Sequence, residues 1–118
     1  MAPLARLKKR AQFLAVAGKG RKWSTPGLVL QVLPNPGDTA PRVGFTASRR
    51  SVGIAVARNR ARRRLKAAAE RLLPGHAAAG DYVMIARGTT VARDFAALVG
   101  DLETALRRTG AWREGDAR

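Results

Sequence analysis

Cysteine is absent from this 118-residue chain. That excludes disulfides, thiolate metal sites and cysteine nucleophiles together, and it suits a reducing, cytoplasmic setting. Aromatic residues are few: Phe13, Phe45, Phe95, Trp23, Trp112 and Tyr82. A core must therefore be built mainly from Leu, Val, Ile and Ala. His76 is the only histidine and sits beside Pro74-Gly75, where it reads as a loop residue rather than a general base. No apolar run approaches the roughly 20 residues that a membrane helix needs, so no membrane partner is expected. Basic residues ahead of Phe13-Leu14-Ala15-Val16-Ala17 faintly echo a secretory signal. The stretch is too short, however, and Gly18-Lys19-Gly20-Arg21-Lys22 puts charge where a cleavage region belongs.

Acidic residues are also scarce: Asp38, Glu70, Asp81, Asp94, Asp101, Glu103, Glu114 and Asp116. They are scattered, mostly at turns and helix starts, where Asp94 and Asp101 suit the helix dipole. No carboxylate pair or ligand cluster stands at metal spacing. Two-metal nuclease chemistry built by the protein is thus not expected, and neither catalytic nor metal-ligating residues are assigned.

What the chain has in excess is positive charge. Lys and Arg number 23 against 8 acids, a formal net charge of +15. A chain so small and so positive repels itself and calls for a polyanion. Nucleic acid is the first candidate, because neutralising phosphates releases condensed counterions. Most of the cations are Arg, which suits bidentate phosphate contacts and stacking on bases.

The length fits one domain over residues 1–118, with a core about 7–108 and a flexible tail over 111–118. Helical spacing of Phe13, Val16 and Ala17 marks a first helix, ended by Gly18 and Gly20. Leu28 to Leu33 reads as a strand buried on both faces, and Pro34-Asn35-Pro36-Gly37 as a turn. Arg42 to Ser48 alternates, with Gly44, Thr46 and Ser48 giving one small, polar face with space above it. The short turn predicts an antiparallel hairpin between these two strands. A long helix from Ser51 to about Leu73, stopped by Pro74-Gly75, carries the stripe Ala61, Leu65, Ala68, Ala69 and Leu72. Asp81 to Arg87 is another strand, which the helical crossover allows to pair in parallel with the second. A last helix runs from Ala92 or Asp94 to Arg108. The class is α+β: a small two-layer sandwich, helices on a mostly antiparallel sheet, with a βαβ crossover.

The densest chemistry is Arg58-Asn59-Arg60-Ala61-Arg62-Arg63-Arg64-Leu65-Lys66, where no acid follows until Glu70. Like charges this close are destabilising unless a partner offsets them. With Leu65 facing the core, Arg60, Arg63 and Arg64 project away from it. Arg58 and Arg62 fall near the apolar side, so they are expected on a rim or cleft that an anion reaches, since an unpaired buried guanidinium is costly.

Ser48-Arg49-Arg50-Ser51-Val52-Gly53-Ile54-Ala55-Val56-Ala57 followed by that basic run resembles the signature of the bacterial ribonuclease P protein family. Arg10-Ala11-Gln12-Phe13, Arg42-Val43-Gly44-Phe45 and Asp81 to Arg87 resemble further segments in matching order, over roughly Leu7 to Arg108. The resemblance implies a left-handed βαβ crossover, against the general rule, in a shape related to a small ribosomal-protein domain. It also implies an endoribonuclease subunit that joins a catalytic RNA and helps remove the 5′ leader of precursor tRNA. Chemistry would belong to the RNA and its magnesium ions, with no obligate protein partner. By position, Arg49, Arg50, Arg58, Asn59, Arg60, Arg62, Arg63, Arg64 and Lys66 would engage the catalytic RNA. Phe13, Thr46 and Ser48 would form the leader cleft, where an aromatic ring stacks on a base.

Three departures bear on that cleft. Ala17 and Gln31 occupy positions where family members carry aromatics, and Ser51 replaces a basic residue, so stacking should give way to charge and hydrogen bonding. From the residues alone, Phe13 reads as core, Trp23 as cover for a sheet edge, and Gly53 as a close-packing position. The alternative function is a structural RNA-binding protein of ribosomal type, with no substrate cleft and no catalytic role.

Overall fold

In a computed structural model of the chain, residues 4–35 and 40–114 are described. The order is β1 (Ala5–Arg6), α1 (Arg10–Lys19), β2 (Arg21–Ser24), β3 (Leu28–Pro34), β4 (Arg42–Thr46), α2 (Arg49–Val52), α3 (Ala55–His76), β5 (Gly80–Ala86) and α4 (Phe95–Arg108). One mixed sheet is ordered β1-β4-β5-β3-β2. β4 pairs in parallel with both β1 and β5, while β3 pairs antiparallel with β5 and β2. The α+β class and the β4–α3–β5 crossover match expectation. The predicted hairpin of β3 with β4 does not form, because β5 lies between them. Tyr82, Val83 and Met84 in β5 are all buried, so this strand requires cover on both faces and takes the central place.

The register sorts side chains by face. Phe45, Met84 and Leu30 form one row toward α3 and α4, and Val43, Tyr82 and Val32 form the next. With Leu65, Ala68, Ala69 and Leu73 of α3 and Leu98, Leu102 and Leu106 of α4, they make the main core. On the other face α1 packs through Phe13 and Val16 on Leu7, Leu33, Val83 and Ile85, a smaller cluster that adds a partial third layer to the expected two. β3 is therefore not buried evenly on both sides: Leu28, Leu30 and Val32 are buried, whereas Val29, Gln31 and Leu33 are half-exposed.

Helix boundaries hold three differences. Gly53 interrupts the expected long helix with φ of 114°, a left-handed value that favours glycine, and a Cβ there would meet nothing within 4 Å. Conformation, not close packing, explains this glycine. At the other end α3 continues through Pro74 to His76, and the Ala77 N–H donates to the Leu73 carbonyl. His76 is thus a helix-terminal residue rather than a loop residue, and its ring stacks on Trp112 at 4.3 Å between centroids. The tail expected from residue 111 is docked over its described residues, 111–114. Ala111 is buried, Trp112 pairs with Ala77, and the Ala78 N–H donates to the Ala111 carbonyl. Residues 115–118, and the turn expected at Pro36-Gly37, lie outside the described residues. α4 begins as the sequence suggests, its N-cap Asp94 accepting from the Ala97 N–H. Asp101, by contrast, lies in mid-helix and pairs with Arg93.

Candidate nucleic-acid interface

α3 presents its basic run on two different flanks. Asn59, Arg62, Arg63 and Lys66 recur at helical spacing and face β1 and β4, where they line a groove with Arg6 and Phe45. Arg62 donates to the Asn59 side-chain carbonyl, which aligns the two along that wall. Arg62 thus lies on a solvent-reached rim, as expected from its position near the apolar stripe. Arg58, one turn earlier, is half-buried, and its Nε is shielded from solvent without a hydrogen-bond partner. Arg60 is exposed. Arg49 and Arg50 are exposed on α2, beyond the Gly53 break, and Ile54 and Val56 between them and the basic run are 70% and 64% exposed.

Arg64 departs from the sequence reading, which had it projecting away from the core toward RNA. It is half-buried on the opposite flank. Its guanidinium donates to the Thr90 carbonyl at 3.0 Å and to the Arg93 carbonyl, with the Phe95 ring 5.9 Å away. It secures the loop between β5 and α4 and does not join the groove.

Few acids approach the basic flank of α3. Asp81 takes a two-pronged bond from Arg42, and Asp101 from Arg93. In each case the carboxylate bond raises the arginine pKa above its ordinary value. Glu103 and Glu114 pair with Arg107. Among the described residues no group of three His, Cys, Asp or Glu side chains could hold a metal ion, and no helix is long and apolar enough to cross a membrane.

A second surface lies on the other face of the sheet. The row Gly44, Val83, Gln31 and Lys22 runs beside α1, whereas the row Thr46, Ile85, Val29 and Ser24 lies beyond it. A cleft of about 630 Å³ opens here, lined by Lys22, Ser24, Val29, Ser51, Ile85, Ala86, Arg87 and Gly88. Four strands at the usual spacing make such a floor about 14 Å wide. Phe13 follows its core reading: it is half-buried in the smaller cluster, its ring lies on Gly44, where a Cβ would come within 2.4 Å of Cε2 and Cζ, and it is not among the residues that line the cleft. Thr46 is half-buried next to Ile85 on this face. Ser48 is exposed at the N-cap of α2, its hydroxyl accepting from the Ser51 N–H at 3.0 Å. The sequence reading missed Lys22, Ser24, Val29, Ile85 and Ser51. Val29 sits in a continuous apolar run, so nothing in the sequence sets it apart from Leu28 and Leu30, and β2 carries no signal either. Trp23 covers the sheet edge, as anticipated, with Arg108 placed 5.3 Å over its ring.

These features define a class: a basic α+β RNA-binding domain whose two candidate contact surfaces lie on opposite faces of one sheet. Comparison with known proteins narrows it. Residues 1–110 match the ribonuclease P family model. The ribonuclease P protein component of Paramagnetospirillum magneticum is 52% identical over 93% of this chain and 86% of the relative. That of Caulobacter vibrioides is 47% identical over 86% and 68%. Among solved structures, the Staphylococcus aureus RNase P protein superposes with a TM-score of 0.77 at 25% identity, covering 92% of this chain and 97% of that one. The Thermotoga maritima protein gives 0.74 at 25% identity, over 87% and 96%. The chain belongs to the ribonuclease P protein family.

Proposed function

We propose that the chain works in ribonuclease P by holding two RNAs at once, the catalytic RNA on one surface and the 5′ leader of precursor tRNA on the other. The outcome is endonucleolytic removal of the leader to give the mature tRNA 5′ end. The observation that carries this reading is the pair of separate surfaces on opposite faces of the sheet. Arg49, Arg50, Arg58, Asn59, Arg60, Arg62, Arg63 and Lys66 bind the catalytic RNA, largely through phosphates, while Ile54 and Val56 add apolar contact. Arg64 supports the fold behind them. The leader crosses the open row of Thr46, Ile85, Val29 and Ser24, with Phe13 at its α1 side and Lys22 near the phosphates. An aliphatic floor favours backbone contact over base stacking, so leader-sequence preference is weak. Magnesium is bound mainly by the RNA, which supplies the chemistry, and the complex acts in the cytoplasm without further protein.

The test is cleavage of precursor tRNA by a bacterial ribonuclease P RNA at low magnesium, with and without the protein and with and without a leader. Stimulation that requires the leader is the expected result. No stimulation, together with tight binding to unrelated structured RNA, would move the chain to the structural RNA-binding class.

A further inference from the structure

The groove beside α3 does not end with its cations. Its basic part, about 300 Å³, is lined by Arg6, Phe45, Asn59, Arg62, Arg63 and Lys66. It shares Arg6, Phe45 and Lys66 with an adjoining hollow of about 220 Å³, completed by Leu4 and Glu70. One end is thus walled by four cations and no acid, and the other by Leu4, Phe45 and the Glu70 carboxylate together with the shared Arg6 and Lys66. Arg6 stands on β1, across from the helix, with its guanidinium 4.8 Å over the Phe45 ring. Its guanidinium makes no hydrogen bond among the described residues, so its donors are open to a ligand while the ring orients it. Glu70 is the one described acid with neither an ion pair nor a hydrogen bond, since Asp81, Asp94, Asp101, Glu103 and Glu114 are all engaged.

We propose that this groove seats one unpaired nucleotide of the catalytic RNA. Its phosphate lies among Arg6, Arg62, Arg63 and Lys66. Its base lies toward Leu4 and Phe45, where the Glu70 carboxylate accepts hydrogen bonds from base N–H groups. The inference rests on the reading of α3 as the face that binds the catalytic RNA. Glu70 decides against a second phosphate at the far end, because two anions there would repel. A carboxylate instead suits an amino-bearing base edge, such as that of cytosine or guanine, and gives a route to discrimination that a purely cationic surface lacks.

The sign of one substitution tests this. The affinity of the full chain for a bacterial ribonuclease P RNA is measured over a range of salt for Glu70→Ala, Glu70→Gln and Arg6→Gln. A carboxylate that merely faces a polyanion hinders binding, so its removal would tighten the complex. A carboxylate that reads a base makes Glu70→Ala bind about tenfold more weakly, with the neutral isostere Glu70→Gln in between. Arg6→Gln lowers the slope of log affinity against log salt by about 0.7–0.9, the loss of one phosphate contact. Unchanged or tighter binding by Glu70→Ala overturns the base site, and an unchanged slope for Arg6→Gln overturns the phosphate seat. Arg62→Ala with Arg63→Ala separates the levels. If that pair lowers the slope while the groove variants do nothing, only the nucleotide site fails; if it too is silent, the α3 reading fails with it.

Discussion

Adding one methyl group at Gly44 should damage the smaller core and, by displacing Phe13, the neighbouring surface proposed for the leader. Gly44 sits in β4, held by β1 on one side and β5 on the other, so its backbone has little freedom to withdraw. A Cβ built there lies 2.4 Å from Cε2 and Cζ of Phe13 and 3.4 Å from Leu7 Cβ. Carbon atoms at rest are about 3.5–4.0 Å apart, so the ring must retreat by more than about 1 Å. Overpacking of this kind costs about 1–3 kcal/mol. For a chain of this size that lowers the melting temperature by roughly 4–12 °C. Gly18 supplies the contrast. It lies inside α1, where a Cβ meets nothing within 4 Å, so Gly18→Ala should stabilise by about 0.5–1 kcal/mol through helix propensity. Thermal unfolding followed by circular dichroism gives the two shifts, and leader-dependent cleavage should fall for Gly44→Ala while affinity for the catalytic RNA stays unchanged. Equal shifts of the same sign for both glycines would refute the reasoning, because the contact with Phe13 would then carry no weight.

Two further expectations address other parts of the molecule. Tyr82 is the only tyrosine, and burial pushes its phenol up to about 12 from an ordinary 10.0, with Arg113 opposing the shift. The folded state therefore prefers the protonated phenol. Its stabilising contribution is whole below pH 10 and is lost as pH rises from 10 toward 12. Ultraviolet difference titration should show one phenol ionising near 12 in the native protein and near 10 in denaturant; ionisation near 10 in the native protein would refute it. Arg64→Ala removes two hydrogen bonds to loop carbonyls and should destabilise by about 1–3 kcal/mol. It should leave the salt dependence of RNA binding nearly unchanged, whereas Arg63→Ala should do the reverse, as paired melting and binding curves would show.

Much of the framework was legible because its signals are local. The α3 stripe and the last helix starting at Asp94 are each complete within one segment, and so are the strands at Leu28 and Asp81. What escaped depends on partners distant in sequence. β1 has two residues, too few to show alternation, and acts only by pairing Ala5 and Arg6 with Arg42 and Val43. β2 is exposed along its length and is assigned no element from the sequence, yet it closes the edge of the sheet on β3. The strand order also escaped, since chain proximity favours a β3–β4 hairpin while the burial needs of β5 place it between them. For the same reason the cleft was half legible: the small face of β4 was visible, but Val29, Ile85 and Ser24 join it only through register.

The basic run shows how far charge alone can lead. Arg62 and Arg64 are two residues apart in a segment that composition treats as uniform. At about 100° per residue they point roughly 160° apart. That turn carries Arg64 to the loop before α4, where backbone carbonyls satisfy it, and Arg62 to the groove beside β1, where cations outnumber the single free carboxylate. The ion pairs of Asp81, Asp101 and Glu103 are all made with arginines outside α3. The few acids thus offset charge elsewhere and leave the Asn59–Lys66 flank without compensation. On the proposed reading, phosphates that occupy the flank would relieve its mutual repulsion, which would couple RNA binding to the local stability of α3 through the same side chains.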